Sequence, residues 1–345
     1  MSKYTALMLF SIALMATACA GQTLVPSVPA PSPSALPTAS VTAPAKPKSL
    51  RFFTVVGADI RDVPLMMALD TLKAQGYSAE ETDLANSTLL AAALARGDAD
   101  IAAFNNQTAW DAVAKGTNFR TIMARYVTAP FIAAGRAIKT CADLNGKSVA
   151  LSSSTGVTPS LLDLYFKESC PGSKPQIVVI ADAQARAAAL ASGSVDAAQI
   201  EPQNIVELEA SAPGLVHTLV ALGQVFQVQS GGIHVRADWA KQNPQMLKDF
   251  IRALLLANRA VTENPEVLYA EAVKRLRLDP TIARKTGTMQ LSFNTWDANG
   301  GLTPENIKYT LDFLAKTDSA LVPLKFEDVA DLSYLNSVLE EIGRK

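Results

Sequence analysis

Residues 92–101 read AALARGDADI and residues 187–197 read AAALASGSVDA, so one pattern occurs twice in the chain. In both copies an alanine-rich stretch with helical spacing ends at a glycine, and an acidic turn then leads into an apolar run. Glycine readily takes the left-handed backbone conformation that ends many helices. The two copies therefore predict two units that share one arrangement of helix, turn and buried strand.

Strand-like and helical stretches alternate around both copies. The first copy follows a strand-like run at residues 50–56, which is rich in β-branched and aromatic residues. The second copy lies among strand-like runs at 147–151, 176–180 and 196–200. Because strands that alternate with helices form parallel sheets, we predict an α/β fold with two units, each a parallel sheet flanked by helices.

The chain after Gly232 is predicted to be mainly helical. Four times an Asn, Asp or Thr is followed by Pro, a pair typical of helix starts because the polar side chain caps the helix and proline fits its first turn. These pairs are Asn243-Pro244, Asn264-Pro265, Asp279-Pro280 and Thr303-Pro304. We therefore expect a helical C-terminal part.

Residues 1–18 have the features of a secretory signal peptide. Lys3 gives a positive start, residues 6–16 are apolar, and small residues precede Cys19. The segment resembles a bacterial lipoprotein signal, in which the cysteine becomes the lipidated first residue, so we predict lipidation at Cys19. Two alternatives stay open. The apolar run is a membrane anchor, although it is shorter than the ~20 residues that span a bilayer, or ordinary cleavage next to Ala18 releases the protein.

Residues 19–49 are rich in Pro, Ser, Ala and Thr. A segment of this composition cannot bury enough apolar surface to fold, so we expect a semi-extended tether. The globular part then starts at residue 50. We expect an extracytoplasmic domain, in the periplasm or at the outer cell surface, that a lipid anchor holds at the membrane.

The composition argues against several classes of function. The net charge of −1 gives no reason to expect a nucleic-acid partner. Only two histidines occur, His217 and His234, and no His/Cys/Asp cluster has the spacing of metal ligands. We therefore expect no metal, no cofactor and no catalytic residues.

Four further segments carry a family resemblance. Residues 140–149 (TCADLNGKSV), 192–197 (SGSVDA) with a following Glu201-Pro202, 239–245 (WAKQNPQ) and 264–279 occur in an order that resembles type 2 periplasmic-binding proteins. The more specific resemblance is to ABC-transporter solute-binding proteins of the nitrate, taurine, aliphatic-sulfonate and thiamine-pyrimidine group. It extends from residue 50 to about residue 320.

The resemblance implies a two-lobed α/β fold in which each lobe is a mixed, mostly parallel sheet flanked by helices. Residues 50–128 and 226–345 form lobe one, and residues 129–225 form lobe two. It further implies a monomer that captures a small organic ligand in the cleft and delivers it to the permease and ATPase of an importer. The ligand is expected to be a sulfonate, taurine, a nitrate-like anion or a vitamin precursor. The alternatives are a ligand-sensing lipoprotein without a transport role and a vitamin-precursor biosynthesis enzyme, although no nucleophile–base pair supports an enzyme.

Both the resemblance and the rule that open α/β sheets bind ligands at their carboxyl ends place the site in loops that follow strands. In the loop after the first strand, Asp59 and Arg61 are candidates, with a solvated loop as the alternative. The amides Asn105, Asn106 and Gln107 follow a buried strand and can donate and accept hydrogen bonds, or merely form a turn and helix cap.

The second unit and the return to the first supply the other candidates. Residues 152–158 lie between a strand and a helix that Thr158 is predicted to cap, where N–H groups and hydroxyls hold polar groups. Glu201 is either a ligand acceptor or a salt bridge that latches the lobes. Gln229 and Ser230 are ligand contacts or part of a hinge. The candidates from residues 152–158 are Ser153, Ser154, Thr155 and Thr158, and Phe104, Tyr126 and Phe226 are candidates for a stacking surface or the core.

Cys141 and Cys170 each precede a predicted strand, with one helix between them. In a right-handed βαβ unit both would lie at the N-terminal edge of adjacent parallel strands, within bridging distance. We expect a disulfide in the oxidising compartment, which would stabilise the fold by about 3 kcal/mol, with two unpaired thiols as the alternative.

Overall fold

The structure is a computed structural model, and it describes residues 48–55, 57–126, 130–154 and 156–345. The predicted signal peptide, Cys19 and most of the tether lie outside the described residues, as does Thr155. The first strand begins at Lys48, so the last two residues that we assigned to the tether belong to the folded domain.

Among the described residues, ten strands form two sheets. The strands are β1 Lys48–Val55, β2 Tyr77–Leu84, β3 Ile101–Asn105, β4 Phe119–Tyr126, β5 Phe131–Gly135, β6 Ser148–Leu151, β7 Gln176–Val179, β8 Ala197–Ile200, β9 Val216–Ala221 and β10 Gly231–Arg236. The first sheet has the order β2-β1-β3-β10-β4, and the second has the order β7-β6-β8-β5-β9. The chain therefore passes from the first sheet to the second after β4 and returns before β10.

Both sheets have the same plan. In the first sheet β1 pairs in parallel with β2 and β3, whereas β10 runs antiparallel to β3 and β4. In the second sheet β6 pairs in parallel with β7 and β8, whereas β5 runs antiparallel to β8 and β9. Each sheet thus has four strands in one direction and one in the other, which is the mixed, mostly parallel arrangement predicted.

Fourteen α-helices flank the sheets in the described part of the chain. They are α1 Val63–Ala74, α2 Ser87–Arg96, α3 Asn106–Ala114, α4 Val157–Ser169, α5 Ala183–Ala191, α6 Pro202–Ser211, α7 Leu222–Val225, α8 Ala237–Gln242, α9 Pro244–Glu263, α10 Pro265–Leu276, α11 Pro280–Ser292, α12 Pro304–Leu314, α13 Phe326–Val329 and α14 Ser333–Ile342. Short 3₁₀ turns lie at Ile60–Asp62, Cys141–Leu144 and Ser319–Leu321. Within the described ranges, none of these helices has the length and apolar character of a membrane span.

The repeated sequence pattern has the same structural role in both sheets. Helix α2 ends at Gly97, whose φ of 79° is left-handed, and the carboxylate of Asp100 then accepts a hydrogen bond of 2.9 Å from the backbone N–H of Arg51 in β1. In the second copy, the carboxylate of Asp196 accepts an equal bond from the backbone N–H of Ser148 in β6. Each aspartate therefore fixes its strand beside the neighbouring parallel strand.

The four predicted C-terminal helix starts are confirmed, because α9, α10, α11 and α12 each begin at the proline. Asn264, Asp279 and Thr303 accept hydrogen bonds from backbone N–H groups of the first turn. The predicted cap at Thr158 is wrong, because α4 begins one residue earlier, at Val157. Gly156 takes the cap position with a φ of 108°, which a β-carbon would strain.

A disulfide joins Cys141 and Cys170 in the structure, with their Cα atoms 6.0 Å apart and a sequence separation of 29. Cys141 begins the 3₁₀ turn before β6, and Cys170 follows the end of α4. The bond therefore closes the chain around the β6–α4 unit and limits the conformations of the unfolded chain.

We expect the Cys141→Ser/Cys170→Ser variant to fold and to lose about 3 kcal/mol of unfolding free energy, because the unfolded chain gains conformational entropy. Urea unfolding of oxidised and reduced wild-type protein measures this effect, and the variant serves as the control that a reductant should not change. Equal unfolding free energies for the variant and the oxidised wild type would contradict the expected role of the bond.

Candidate functional site

A cavity of about 700 Å³ lies between the carboxyl ends of the two sheets. Its wall consists of the segments that follow β1, β2, β3, β4, β6, β7 and β8, together with Ser230 before β10. The lining side chains that can form hydrogen bonds are Asp59, Arg61, Asp62, Ser87, Asn105, Arg125, Tyr126, Ser152, Ser153, Thr158, Asp182, Gln184, Arg186, Gln199, Glu201, Gln203, Asn204 and Ser230. This is the position that the rule for open α/β sheets predicts for a ligand.

Arg61 connects the two sheets across the cavity. Its guanidinium donates to both carboxylate oxygens of Asp59, at 2.5–3.0 Å, and its Nη2 atom lies 2.8 Å from Oε2 of Glu201 at the end of β8. The ring of Tyr126 lies beneath the guanidinium, 4.7 Å from its carbon. A side chain of the first sheet therefore holds a carboxylate of the second.

The two carboxylates beside Arg61 are held differently. Oε2 of Glu201 is buried and accepts no hydrogen bond, so its contact with Arg61 is an ion pair without hydrogen-bond geometry. Burial opposes the charge on Asp59, but Arg61 outweighs it and keeps the pKa of that carboxyl below its usual value. Burial raises the pKa of Glu201, and the nearby charge of Asp59 adds to this increase against the attraction of Arg61.

The other two arginines of the cavity wall also have partners within the protein. Arg125 donates from Nε and Nη2 to Oδ1 of Asp62, at 3.0 and 2.5 Å. Arg186 is 2% exposed and donates to three backbone carbonyls, those of Gln199, Ile180 and Ala181, at 2.7–2.8 Å. All three guanidinium groups are thus engaged by carboxylates or carbonyl oxygens.

The three predicted amides lie in different environments, because α3 begins between the first and the second of them. Asn105 lines the cavity, caps α3 by accepting from the N–H of Thr108, and donates to Oγ of Ser87. Asn106 and Gln107 are buried in the helix and are not part of the cavity lining. The prediction that three successive amides face the ligand is therefore not met, because the helix begins directly after Asn105.

Gln229 also belongs to the interior. Its backbone carbonyl accepts a hydrogen bond of 2.7 Å from the side chain of Asn106, and its side chain is 8% exposed. A β-carbon at Gly232 would lie 2.2 Å from Oδ1 of Asn106, so only glycine allows the side chain of Asn106 to approach the backbone this closely. Ser230, between them, lines the cavity.

The segment between β6 and α4 contributes Ser152 and Ser153 to the cavity wall, and α4 contributes Thr158, whereas Ser154 is not part of the wall. Thr158 lies in the first turn of α4. The amide oxygen of Gln199 accepts from both the N–H and the hydroxyl of Ser152, at 3.2 and 3.1 Å. The expected polar loop is therefore present, and a neighbouring strand holds it in place.

Sequence reasoning missed several polar residues of the cavity wall: Asp62, Ser87, Arg125, Asp182, Gln184, Arg186, Gln199, Gln203 and Asn204. Arg125 lies one residue before the end of β4 and Gln199 lies one residue before the end of β8, so the strand-end rule applied to every predicted strand would have found both. Of the three aromatic candidates, Phe104 and Tyr126 line the cavity, whereas Phe226 packs on Phe313 with ring centroids 5.8 Å apart.

Within the described part of the chain, no three His, Cys, Asp or Glu side chains form a group that could hold a metal ion.

A buried polar chain lies behind Phe104. Trp110 Nε1 donates to Oγ1 of Thr121 at 3.0 Å, and that hydroxyl lies 3.2 Å from Nδ1 of His234. Nε2 of His234 lies 3.2 Å from the carbonyl oxygen of Phe104. A neutral His234 with its proton on Nε2 satisfies every group in this chain. Burial lowers the pKa of His234 to about 3, so the ring stays neutral.

We expect His234 to make the stability depend on pH. Below its ordinary pKa of 6.5 the unfolded chain takes up a proton that the folded protein does not, so stability is lost as the pH falls. The loss from this residue is about 2 kcal/mol at pH 5. Urea unfolding at pH 7 and pH 5 should show a smaller loss in the His234→Gln variant, and an equal loss in both proteins would contradict the assignment.

Comparisons with known proteins agree with this fold. The sequence model of the family described as NMT1/THI5 like matches residues 70–267. No curated protein sequence matches the chain.

Several solved structures share the fold. The ligand-binding component of an ABC-type import system from Staphylococcus aureus has a TM-score of 0.69 and 14% identity, over 84% of this chain and 99% of that chain. The alkanesulfonate-binding protein SsuA from Xanthomonas axonopodis pv. citri has a TM-score of 0.64 and 18% identity, over 85% and 98%. The nitrate-binding protein NrtA from Synechocystis PCC 6803 has a TM-score of 0.66 and 14% identity, over 86% and 90%.

These neighbours confirm the predicted fold class, two α/β lobes of the periplasmic-binding-protein type, and the sequence match confirms the predicted resemblance. The matched segment covers more than half of the chain and includes β3, α3 and the strands and helices of the second sheet. The protein therefore belongs to the NMT1/THI5-like family.

Proposed function

We propose that the protein is an extracytoplasmic solute-binding protein of an ABC importer, which captures a small organic ligand between its two lobes. The observation that carries the proposal is the cavity of about 700 Å³ between the carboxyl ends of two sheets with the same plan. The volume lies within the ~300–1,000 Å³ typical of small-molecule sites. The solved structures that resemble the chain include ligand-binding components of importers rather than enzymes, which agrees with the prediction of no enzymatic activity.

In this proposal residues 50–128 and 226–345 form one lobe and residues 129–225 form the other. The membership of the sheets supports the division, because β1–β4 and β10 belong to the first sheet and β5–β9 to the second. The chain crosses between the lobes after β4 and before β10. The crossing before β10, which contains Gln229 and Ser230, is the proposed hinge.

The proposed ligand contacts come from both lobes. Asp59, Arg61, Asn105 and Ser230 contribute from the first lobe, and Ser153, Thr158 and Glu201 contribute from the second. A ligand that contacts both sets stabilises the closed arrangement over an open one, because only the closed arrangement offers all the contacts. Closure would present a surface that a permease with its ATPase recognises. Delivery to such a permease separates this function from that of a ligand sensor without a transport role.

A thermal-unfolding screen of the purified protein tests for the ligand. The panel contains taurine, alkyl sulfonates, nitrate, aromatic carboxylates, riboflavin and thiamine precursors. A ligand at 100 times its dissociation constant stabilises the native state by ~2.7 kcal/mol, so we expect one compound to raise the unfolding temperature by several degrees. If no compound in the panel changes the unfolding temperature, the proposal of a solute-binding protein loses its support.

We expect Glu201→Ala to weaken binding of the screened ligand roughly tenfold or more, because the ligand loses a buried polar partner in the second lobe. Glu340→Ala is the matched control, since Glu340 is exposed on α14 and is not part of the cavity lining. Titration calorimetry of both variants gives the two affinities. Equal affinities would show that Glu201 does not contact the ligand and only pairs with Arg61.

We propose that the lipidated Cys19 anchors the protein at the membrane through the proline-rich tether. The small-residue site before Cys19 supports this proposal. We expect Cys19→Ser to leave the domain folded and to move it from the membrane fraction to the soluble fraction after cell lysis. Retention of the variant in the membrane fraction would contradict lipid anchoring at this residue.

A further inference from the structure

The charges that line the cavity restrict the chemistry of its ligand. Among the described residues, four carboxylates and three guanidinium groups line it, so the fully ionised wall carries one excess negative charge. The carboxylates belong to Asp59, Asp62, Asp182 and Glu201, and the guanidinium groups belong to Arg61, Arg125 and Arg186. An anion that enters this cavity meets a wall that is not positive.

The hydrogen-bond donors of the three arginines are directed to partners within the protein. Arg61 is bonded to Asp59 and paired with Glu201, and its side chain is only 13% exposed. Arg125 is bonded to Asp62 and is 10% exposed. To bind an anionic headgroup, Arg61 or Arg125 would have to release its carboxylate, and breaking one partner of a buried ion pair leaves an uncompensated charge.

Two buried acceptors, by contrast, have no hydrogen-bond donor. Oε2 of Glu201 makes only its ion pair with Arg61, and Oε1 of Gln203 has no partner; both residues line the cavity. The orientation of the Gln203 amide is fixed, because its Nε2 donates to Oε1 of Glu207 at 2.9 Å and its oxygen must therefore be the free end. A buried acceptor without a donor is costly, so a ligand that brings N–H groups gains where a sulfonate, which has only acceptors, does not.

We infer that the cavity binds a small organic amine or amide that donates hydrogen bonds to Glu201 and Gln203, and that it excludes sulfonates, nitrate and carboxylates. The inference rests on the proposed function of a solute-binding protein and specifies its ligand class. It also assigns Asp59 a role in specificity, since Asp59 occupies the guanidinium that an anion would need. The chain then differs in ligand class from the sulfonate-binding and nitrate-binding proteins whose fold it shares.

Matched probes with one ring and different headgroups test the inference. Benzylamine and benzamide carry donors, whereas benzenesulfonate and benzoate are anions of similar size. Titration calorimetry of the wild-type protein should show binding of the amine or the amide and affinities at least roughly tenfold weaker for both anions, which is the effect of about one hydrogen bond to a charged group.

The Asp59→Asn/Glu201→Gln variant provides the reverse test, because it leaves Arg61 without a carboxylate partner. We expect this variant to gain roughly tenfold in affinity for benzenesulfonate and to lose roughly tenfold for benzylamine. Glu340→Gln is the control and should retain the wild-type order of affinities. If the double variant does not fold, the single variant Glu201→Gln should still lose affinity for benzylamine by a larger factor than for benzamide, since only the amine carries a charge.

The outcomes separate this inference from the proposed function. Binding of benzenesulfonate or benzoate to the wild-type protein as tightly as benzylamine would overturn the ligand class and leave a solute-binding protein. The ligand class would also be overturned if neither benzylamine nor benzamide bound and an anion raised the unfolding temperature in the screen. No binding by any probe and no hit in the screen would count against both the ligand class and the proposed function.

Discussion

The guanidinium of Arg61 is bonded in the first sheet and paired with the second, and the geometry of the cavity depends on this bridge. Both carboxylate oxygens of Asp59 accept hydrogen bonds from the guanidinium and so orient it. The ring of Tyr126 packs against its face, and Glu201, at the end of β8, forms an ion pair with it. Burial makes each of these charges expensive alone, so the three are stable only together. The same bridge uses the cation that an anionic ligand would need.

Two aspartates place the strands that deliver these side chains. Asp100 ties β3 to β1, and Asp196 ties β8 to β6, each through the backbone N–H of the neighbouring parallel strand. Because the carboxyl ends of parallel strands meet at one edge, the residues after β1, β3, β6 and β8 converge there. The repeated sequence pattern thus fixes neighbouring parallel strands in both sheets, and the cavity forms where the ends of these strands converge.

Local sequence signals predicted where helices and strands begin and end better than they predicted which side chains contact one another. The glycine that ends α2, the four prolines that start the C-terminal helices and the alternation of strands and helices are determined by the backbone, so the sequence reveals them. The strand-end rule also placed Asp59, Arg61, Asn105, Ser153, Thr158, Glu201 and Ser230 in the cavity wall.

The fate of individual side chains depends on tertiary partners and was harder to predict. Asn106 and Gln107 have the same local chemistry as Asn105, but α3 begins at Asn106 and turns both into the interior. Arg186 lies on the inner face of α5 and becomes part of the cavity only because three carbonyls hold it. The ion pairs of Arg61 and Arg125 decide the charge available to a ligand, and no spacing in the sequence predicts those pairs.

The most direct test is a distance measurement across the mouth of the cavity. Leu89 on α2 and Ala188 on α5 are exposed, so spin labels on Leu89→Cys and Ala188→Cys, in a chain with Cys19→Ser, report the separation of the two sheets without ligand. The account predicts one dominant short distance and a shift to longer distances when Glu201→Gln weakens the contact with Arg61. Identical distance distributions with and without this substitution would contradict the claim that the bridge holds the two sheets together.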